Sequence, residues 1–160
     1  MSRAASDPRR LDAALRDARP SDFEEVIALL SSAALPTAGV PLTLEGFVIA
    51  EAGGKLIGVA GLERYGRAGL LRFVAVRPEI RKTGVGGALV DRVLADATAR
   101  GIADVFLLTT TAQPYFMRLG FRCIGREAVP EPVQASVEFQ GACPSTAVIM
   151  HRRLPSGAVP

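Results

Sequence analysis

The stretch of this chain best equipped for chemistry is Arg81-Lys82-Thr83-Gly84-Val85-Gly86-Gly87. It follows the apolar run Leu70-Leu71-Arg72-Phe73-Val74-Ala75-Val76 and opens a helical pattern that ends at Arg100-Gly101. A strand that empties into a glycine-rich turn and then a helix is a device for holding phosphate. Glycine lets the backbone approach the ligand, the unpaired N–H groups of the first helical turn point at it, and the helix dipole favours negative charge there. The spacing narrows the choice. A P-loop needs a lysine and a hydroxyl directly after its glycines, and none follows here. Gly84, Gly86 and Gly87 do not supply the G-x-G-x-x-G of a dinucleotide fold. What stands is R-x-x-G-x-G, led in by Val76-Arg77-Pro78-Glu79. On these residues alone it is a phosphate cradle or a glycine-rich turn with no ligand.

The elements around it read in a definite order. Ala14 to Ala18 is a first strand, and Ser21 or Asp22 caps a helix with Phe23, Val26, Ile27 and Leu30 at helical spacing. Phe47–Glu51 and Lys55–Glu63 flank Ala52-Gly53-Gly54, a hairpin signal. A second turn at Tyr65–Gly69 leads into the strand before the glycine loop. The helix after the loop buries Val85, Leu89, Val93 and Ala97 on one face. Val105–Thr109 is the next strand, and Thr110–Phe121 follows it with a short helix. A strand through Cys123 and Ile124 gives way to a long polar stretch, Arg126 to Gln140, and Ala147–Arg152 closes the sheet.

Two motifs in this order resemble the GNAT N-acetyltransferase superfamily. The first is the R-x-x-G-x-G loop. The second is the segment from Thr109 to Phe121, set against N-x-x-A-x-x-x-Y-x-x-x-G-F: Ala112, Gly120 and Phe121 fall in place, Thr109 takes the Asn place and Phe116 the Tyr place. The resemblance implies an α/β (α+β) fold with a mixed central sheet, helices on both faces and a splayed parallel strand pair at the cofactor. It implies one domain over residues 14–154; the polar, arginine-bearing start reads as a disordered leader over 1–13, and 155–160 as a flexible tail. It also implies acetyl-CoA as acyl donor, without a metal. Val74, Ala75 and Val76 would pair with the pantetheine arm, Arg81, Lys82, Thr83, Gly84, Val85, Gly86 and Gly87 would hold the pyrophosphate, and Phe116 would line the site.

The implied reaction is direct acetyl transfer to an amine. It needs a neutral amine, donors for the developing oxyanion and a proton for the thiolate. A backbone N–H near Phe73 or Val74 supplies the oxyanion donor by resemblance. With phenylalanine at position 116, the proton comes from Tyr115, from water, or from no specific group. Glu63 is the candidate base, or else a carboxylate paired with Arg64 or Arg72. Strand alternation places Arg72 on the side-chain face of Val74 and Val76, where it clamps a substrate carboxylate or forms an ordinary ion pair. Thr109 and Thr110 are expected to meet the acceptor.

Details narrow the branch. Leu107–Ala112 is similar to the acetyltransferase domain of N-acetylglutamate synthases and related amino-acid N-acetyltransferases. Gly61–Gly66, Val129–Val133, Glu138-Phe139 and Ala142–Met150 look like the bacterial arsenic-resistance N-acetyltransferases. The acceptor implied is an amino acid or amino-acid-like toxin. A protein N-terminal or lysine acetyltransferase and a non-catalytic acyl-CoA-binding module are the alternatives. GNAT domains also often form a homodimer through their late strands.

Composition bounds these readings. The 160 residues are 49% hydrophobic and 22% charged, enough for one domain with a good core. A net charge of +3, from 19 basic and 16 acidic residues, is too mild and dispersed to argue nucleic-acid binding. No apolar run reaches the ~20 residues that span a bilayer, and Met1–Arg10 lacks an apolar signal region, so the reading is cytoplasmic. Cys123, Cys143 and His151 show no metal-ligand spacing.

Overall fold

Gly53 and Gly54 adopt φ +59° and +77°, the left-handed pair that a two-residue hairpin turn demands, and they close the chain between Ala52 and Lys55. The computed structural model describes residues 13–136, 138–142 and 147–155. Its strands are β1 Ala14–Asp17, β2 Phe47–Ala52, β3 Lys55–Tyr65, β4 Ala68–Val76, β5 Asp104–Thr109, β6 Arg122–Cys123 and β7 Val148–Arg153. The helices are α1 Phe23–Ser32, α2 Val85–Ala99, α3 Gln113–Arg118 and α4 Glu131–Gln134. Among the described residues the strands form one sheet in the order β1-β2-β3-β4-β5-β7-β6. Every pairing is antiparallel except β4 with β5, which α2 joins as a crossover.

Both faces are covered. α2 lays Val85, Leu89, Val93 and Ala97 against Ala50, Ile57, Leu62 and Leu71. α1 lays Val26, Leu29 and Leu30 against Phe47, Ile49, Val59 and Phe73 on the other face. At about 1.5–3 kcal/mol for each large aliphatic side chain removed from water, these two layers fix where β4 and the start of α2 stand.

Three expectations are corrected. Asp22 stands at the N-cap of α1 but makes no side-chain cap bond. Its carboxylate instead takes both guanidinium ends of Arg16, at 2.8 and 2.9 Å, and the Arg19 N–H at 2.8 Å. A charged fork outbids a helix N–H for the same oxygens. The strand expected through Ile124 stops at Cys123. The stretch from Arg126 to Gln140 is not simply polar. It winds through short helical turns at Arg126–Ala128, Glu131–Gln134 and Glu138–Ala142 and buries Val129, Val133 and Phe139 against Ala68, Leu70 and Phe106. Cys143 and Pro144, singled out in the tail, lie outside the described residues.

Candidate active site

One extra residue in β4 opens the site. Gly61 pairs with Arg72 and Val59 with Ala75, so Phe73 and Val74 together stand opposite Ala60. That is a β-bulge, and Phe73 carries its strain at φ +61°. The bulge also reverses the alternation. Val74 packs toward the α2 side while Phe73 and Ala75 pack toward α1. The Arg72 guanidinium lies 4.1 Å from the centroid of the Phe73 ring. The expectation that Arg72 shares a face with Val74 and Val76 fails for this reason.

The bulge coincides with a parting of strands. β4 and β5 pair at Ala68↔Asp104, Gly69↔Val105 and Leu70↔Phe106, and the ladder stops there although β4 runs on to Val76 and β5 to Thr109. A cavity of ≈ 710 Å³ fills the gap, walled by Arg72 to Val76, Leu107 to Ala112, Phe116 and Glu138, with Arg81 at its edge. Ala33 to Pro36, after α1, form a further wall.

The glycine loop stands at the end of β4. Gly84 is the N-cap of α2 at φ +93° and Lys82 is left-handed at φ +68°. The first intrahelical acceptance is by the Gly84 carbonyl from Ala88 N–H, so the amides of Val85, Gly86 and Gly87 begin the helix without a helical acceptor. A Cβ at Gly84 or Gly87 would meet nothing within 4 Å, whereas one at Gly86 would lie 2.8 Å from the Tyr115 hydroxyl and 3.5 Å from Val76. Thr83 turns its hydroxyl back to the Ile80 carbonyl at 2.5 Å, closing the loop on itself.

The polar candidates distribute differently from expectation. Arg72 is almost wholly buried, with its side chain 2% exposed. Its Nη1 donates to Glu63 Oε2 at 2.8 Å, its Nη2 to the Ala38 carbonyl at 2.8 Å, and its Nε lies 3.8 Å from Glu138 Oε2. Glu63 also accepts from the Tyr65 hydroxyl at 2.8 Å. Burial, and then the Glu63 carboxylate, push the Tyr65 phenol up to about 12. Neither end of the Arg72 fork is open to clamp a substrate carboxylate, and Glu63 is not on the cavity wall. Thr109 and Thr110 are on it, but Thr109 Oγ1 accepts the Ala112 N–H at 3.0 Å and so builds the turn into α3. Phe116 is buried on the wall, with its ring edge-on to Phe121. Tyr115, one residue earlier on α3, turns away from the wall toward Gly86, and burial, followed by the nearby Asp91 charge, raises its phenol above the ordinary value.

Sequence reasoning missed Glu138 as a site residue. It is 8% exposed and lines the cavity. The signal was its place in Val133 to Phe139, where apolar residues alternate with polar ones and mark a segment that packs on one side rather than loops.

The family profile described as Acetyltransferase (GNAT) domain matches residues 43–123. The chain belongs to the GNAT acetyltransferase family. Its similar relatives sharpen the setting of this GNAT domain. It is 35% identical over 99 residues to the amino-acid acetyltransferase of Pseudomonas putida strain KT2440, covering 61% of this chain and 23% of that protein. It is 37% identical over 96 residues to the amino-acid acetyltransferase of Azotobacter vinelandii, covering 59% and 22%. The chain thus spans less than a quarter of the curated amino-acid acetyltransferases it matches. Among solved structures, the N-acetylglutamate synthase of Neisseria gonorrhoeae complexed with coenzyme A and N-acetyl-glutamate superposes at TM-score 0.77 and 26% identity, covering 89% of this chain and 35% of that one. Rv2747 of Mycobacterium tuberculosis, in complex with CoA and NLQ, superposes at TM-score 0.75 and 25% identity, covering 89% and 99%.

Proposed function

We propose that this GNAT domain transfers acetyl from acetyl-CoA directly to the amino group of a small acceptor, an amino acid or an amino-acid-like toxin of the kind the arsenic-resistance resemblance implies. The single observation that carries this reading is the ≈ 710 Å³ cavity between the parted ends of β4 and β5, running from the glycine loop to a buried charged cluster. The similar amino-acid acetyltransferases and the two coenzyme A complexes favour the same donor and acceptor class.

The residues fit the donor. The free strand edge from Val74 to Val76 offers backbone pairing to a pantetheine arm. The open space over Gly84 and Gly87, with the amides of Val85 to Gly87 and Arg81 beside it, fits a pyrophosphate. Tyr115, protonated and close to Gly86, serves this phosphate end rather than the sulfur. Phe73 and Val74, which lack register partners on β3, supply the N–H that stabilises negative charge on the reacting carbonyl. Phe116 shields that point from water and donates no proton. The thiolate, whose pKa is about 8.5 for an ordinary thiol, takes its proton from the attacking nitrogen. Glu63 and Tyr65 hold Arg72, and through it the bulge, in place.

An acceptor screen tests this. Free amino acids, a peptide mixture and a no-acceptor control are offered with acetyl-CoA, and thiol release is followed. Release with free amino acids is expected. Release only with peptides would favour a protein acetyltransferase, and none with any acceptor, while coenzyme A still binds, a non-catalytic acyl-CoA module.

A further inference from the structure

We infer that Glu138 is the carboxylate that meets the acceptor's amine and takes its proton; this rests on the acetyl-transfer reading above. Glu138 is the one carboxylate among the described residues lining the cavity. Glu63, the other carboxylate of the cluster, stands off the wall.

The position of Glu138 is built. Its neighbour Phe139 is buried with Val129 and Val133 against Ala68, Leu70 and Phe106, and the Arg126 guanidinium lies 5.2 Å from the Phe139 ring centroid. The Gln134 side-chain amide donates to the Val129 carbonyl at 2.8 Å, and the Phe139 N–H to Ser136 Oγ at 3.4 Å. Arg72 then sets the carboxylate beside the bulge. Its Nε is buried without a hydrogen bond and faces Glu138 Oε2 at 3.8 Å, close enough for ion pairing. Arg72 directly precedes Phe73 and Val74, whose amides mark the reacting carbonyl. The carboxylate therefore stands on the acceptor side of that carbonyl, while the glycine loop lies beyond the far end of β4.

The proton balance is complete. The acceptor arrives as an ammonium, and one N–H bond breaks to give a neutral amine and a protonated Glu138. The amine's electron pair forms the C–N bond and the C–S bond breaks with its electrons on sulfur. The second nitrogen proton passes to the thiolate, and Glu138 returns its proton to solvent. A carboxylate on this wall also favours a cationic amine over an acidic acceptor by simple attraction.

The test is Glu138→Gln, which keeps the shape and removes the base, with Glu138→Asp beside it. Three readings are taken: kcat, KM for the best amine, and calorimetric affinity for coenzyme A. Glu138→Gln is expected to lower kcat/KM at least ~100-fold, the usual reach of a positioned base, while coenzyme A affinity stays within about twofold. Its residual rate should climb steadily with pH as free amine replaces ammonium. Glu138→Asp should fall between the two. A Gln variant that binds coenzyme A and turns over within about threefold of wild type overturns the inference alone. A wild-type chain that transfers to no acceptor sinks the acetyl-transfer reading and this inference with it.

Discussion

Arg72 Nη1 donates to Glu63 Oε2 at 2.8 Å across the β3–β4 hairpin, immediately before the bulge that parts β4 from β5. A buried guanidinium is the pin of this site. Its two terminal nitrogens fix β3 and the loop after α1, and its third faces the C-terminal segment. Removing it takes the buried guanidinium partner from Glu63 Oε2 and the nearby positive charge from Glu138 Oε2. Arg72→Met should therefore cost about 3 kcal/mol in urea denaturation, the scale for breaking a buried pair. It should also depress transfer to all acceptors alike. A loss confined to acidic acceptors would restore the substrate-clamp reading.

Gly86 and Tyr115 form a second coupled pair. A Cβ at Gly86 would lie 2.8 Å from the Tyr115 hydroxyl, so Gly86→Ala should displace α3 or the loop and weaken coenzyme A binding about tenfold by calorimetry. Tyr115→Phe removes the clashing oxygen, and the double variant should recover most of that loss. Additive effects in the double variant would show that Gly86 acts on the ligand without Tyr115. Gly86→Glu, with a larger side chain in the same place, should abolish binding.

Gly84 tests a different physics. It has open space for a side chain but stands at φ +93°. Gly84→Ala should cost about 1 kcal/mol of stability through backbone strain, read as a lowered Tm. Gly87→Ala, in open space within the helix, should be neutral or slightly stabilising, since alanine outranks glycine there by about 1 kcal/mol.

Much of this was legible in the chain because it rests on local signals. Glycines at positions 53, 54 and 84 announce backbone that turns left-handed, and apolar spacing from Val85 to Ala97 announces the face of α2. The apolar run before the glycines and the helical spacing after them placed the glycine loop between β4 and α2, as observed. What strand alternation could not show was the bulge. One extra residue at Phe73 moves Arg72 off the face of Val74, and no property of Arg72 or Phe73 alone marks it. Nor could sequence distance foresee that Glu138 returns beside Arg72. That contact depends on Val129, Val133 and Phe139 finding the apolar patch on β4 and β5. The cap expected at Asp22 was lost to Arg16, a competitor for the same carboxylate.

The Asp22–Arg16 fork predicts a pH effect on stability. Arg16, followed by the Arg19 N–H, holds the Asp22 carboxyl below its ordinary value, against the opposing push of burial. A carboxyl with a depressed folded pKa stabilises the fold above its unfolded pKa of about 3.9 and loses that stabilisation as pH falls through the folded value. Wild type should therefore exceed Asp22→Asn by about 2 kcal/mol at pH 7, the scale of hydrogen bonds to a charged group. The two stability curves should converge as the pH drops below about 4. A gap that stays constant into strong acid would mean that the fork contributes nothing through its charge.

Mass spectrometry of the acceptor after reaction with isotope-labelled acetyl-CoA is the most direct test of the central claim. Direct transfer from the β4–β5 cleft predicts one labelled acetyl group on the amino nitrogen of a free amino-acid acceptor, in step with thiol release, and no label on the protein. Label retained covalently on the chain, or thiol release with an unmodified acceptor, would contradict it.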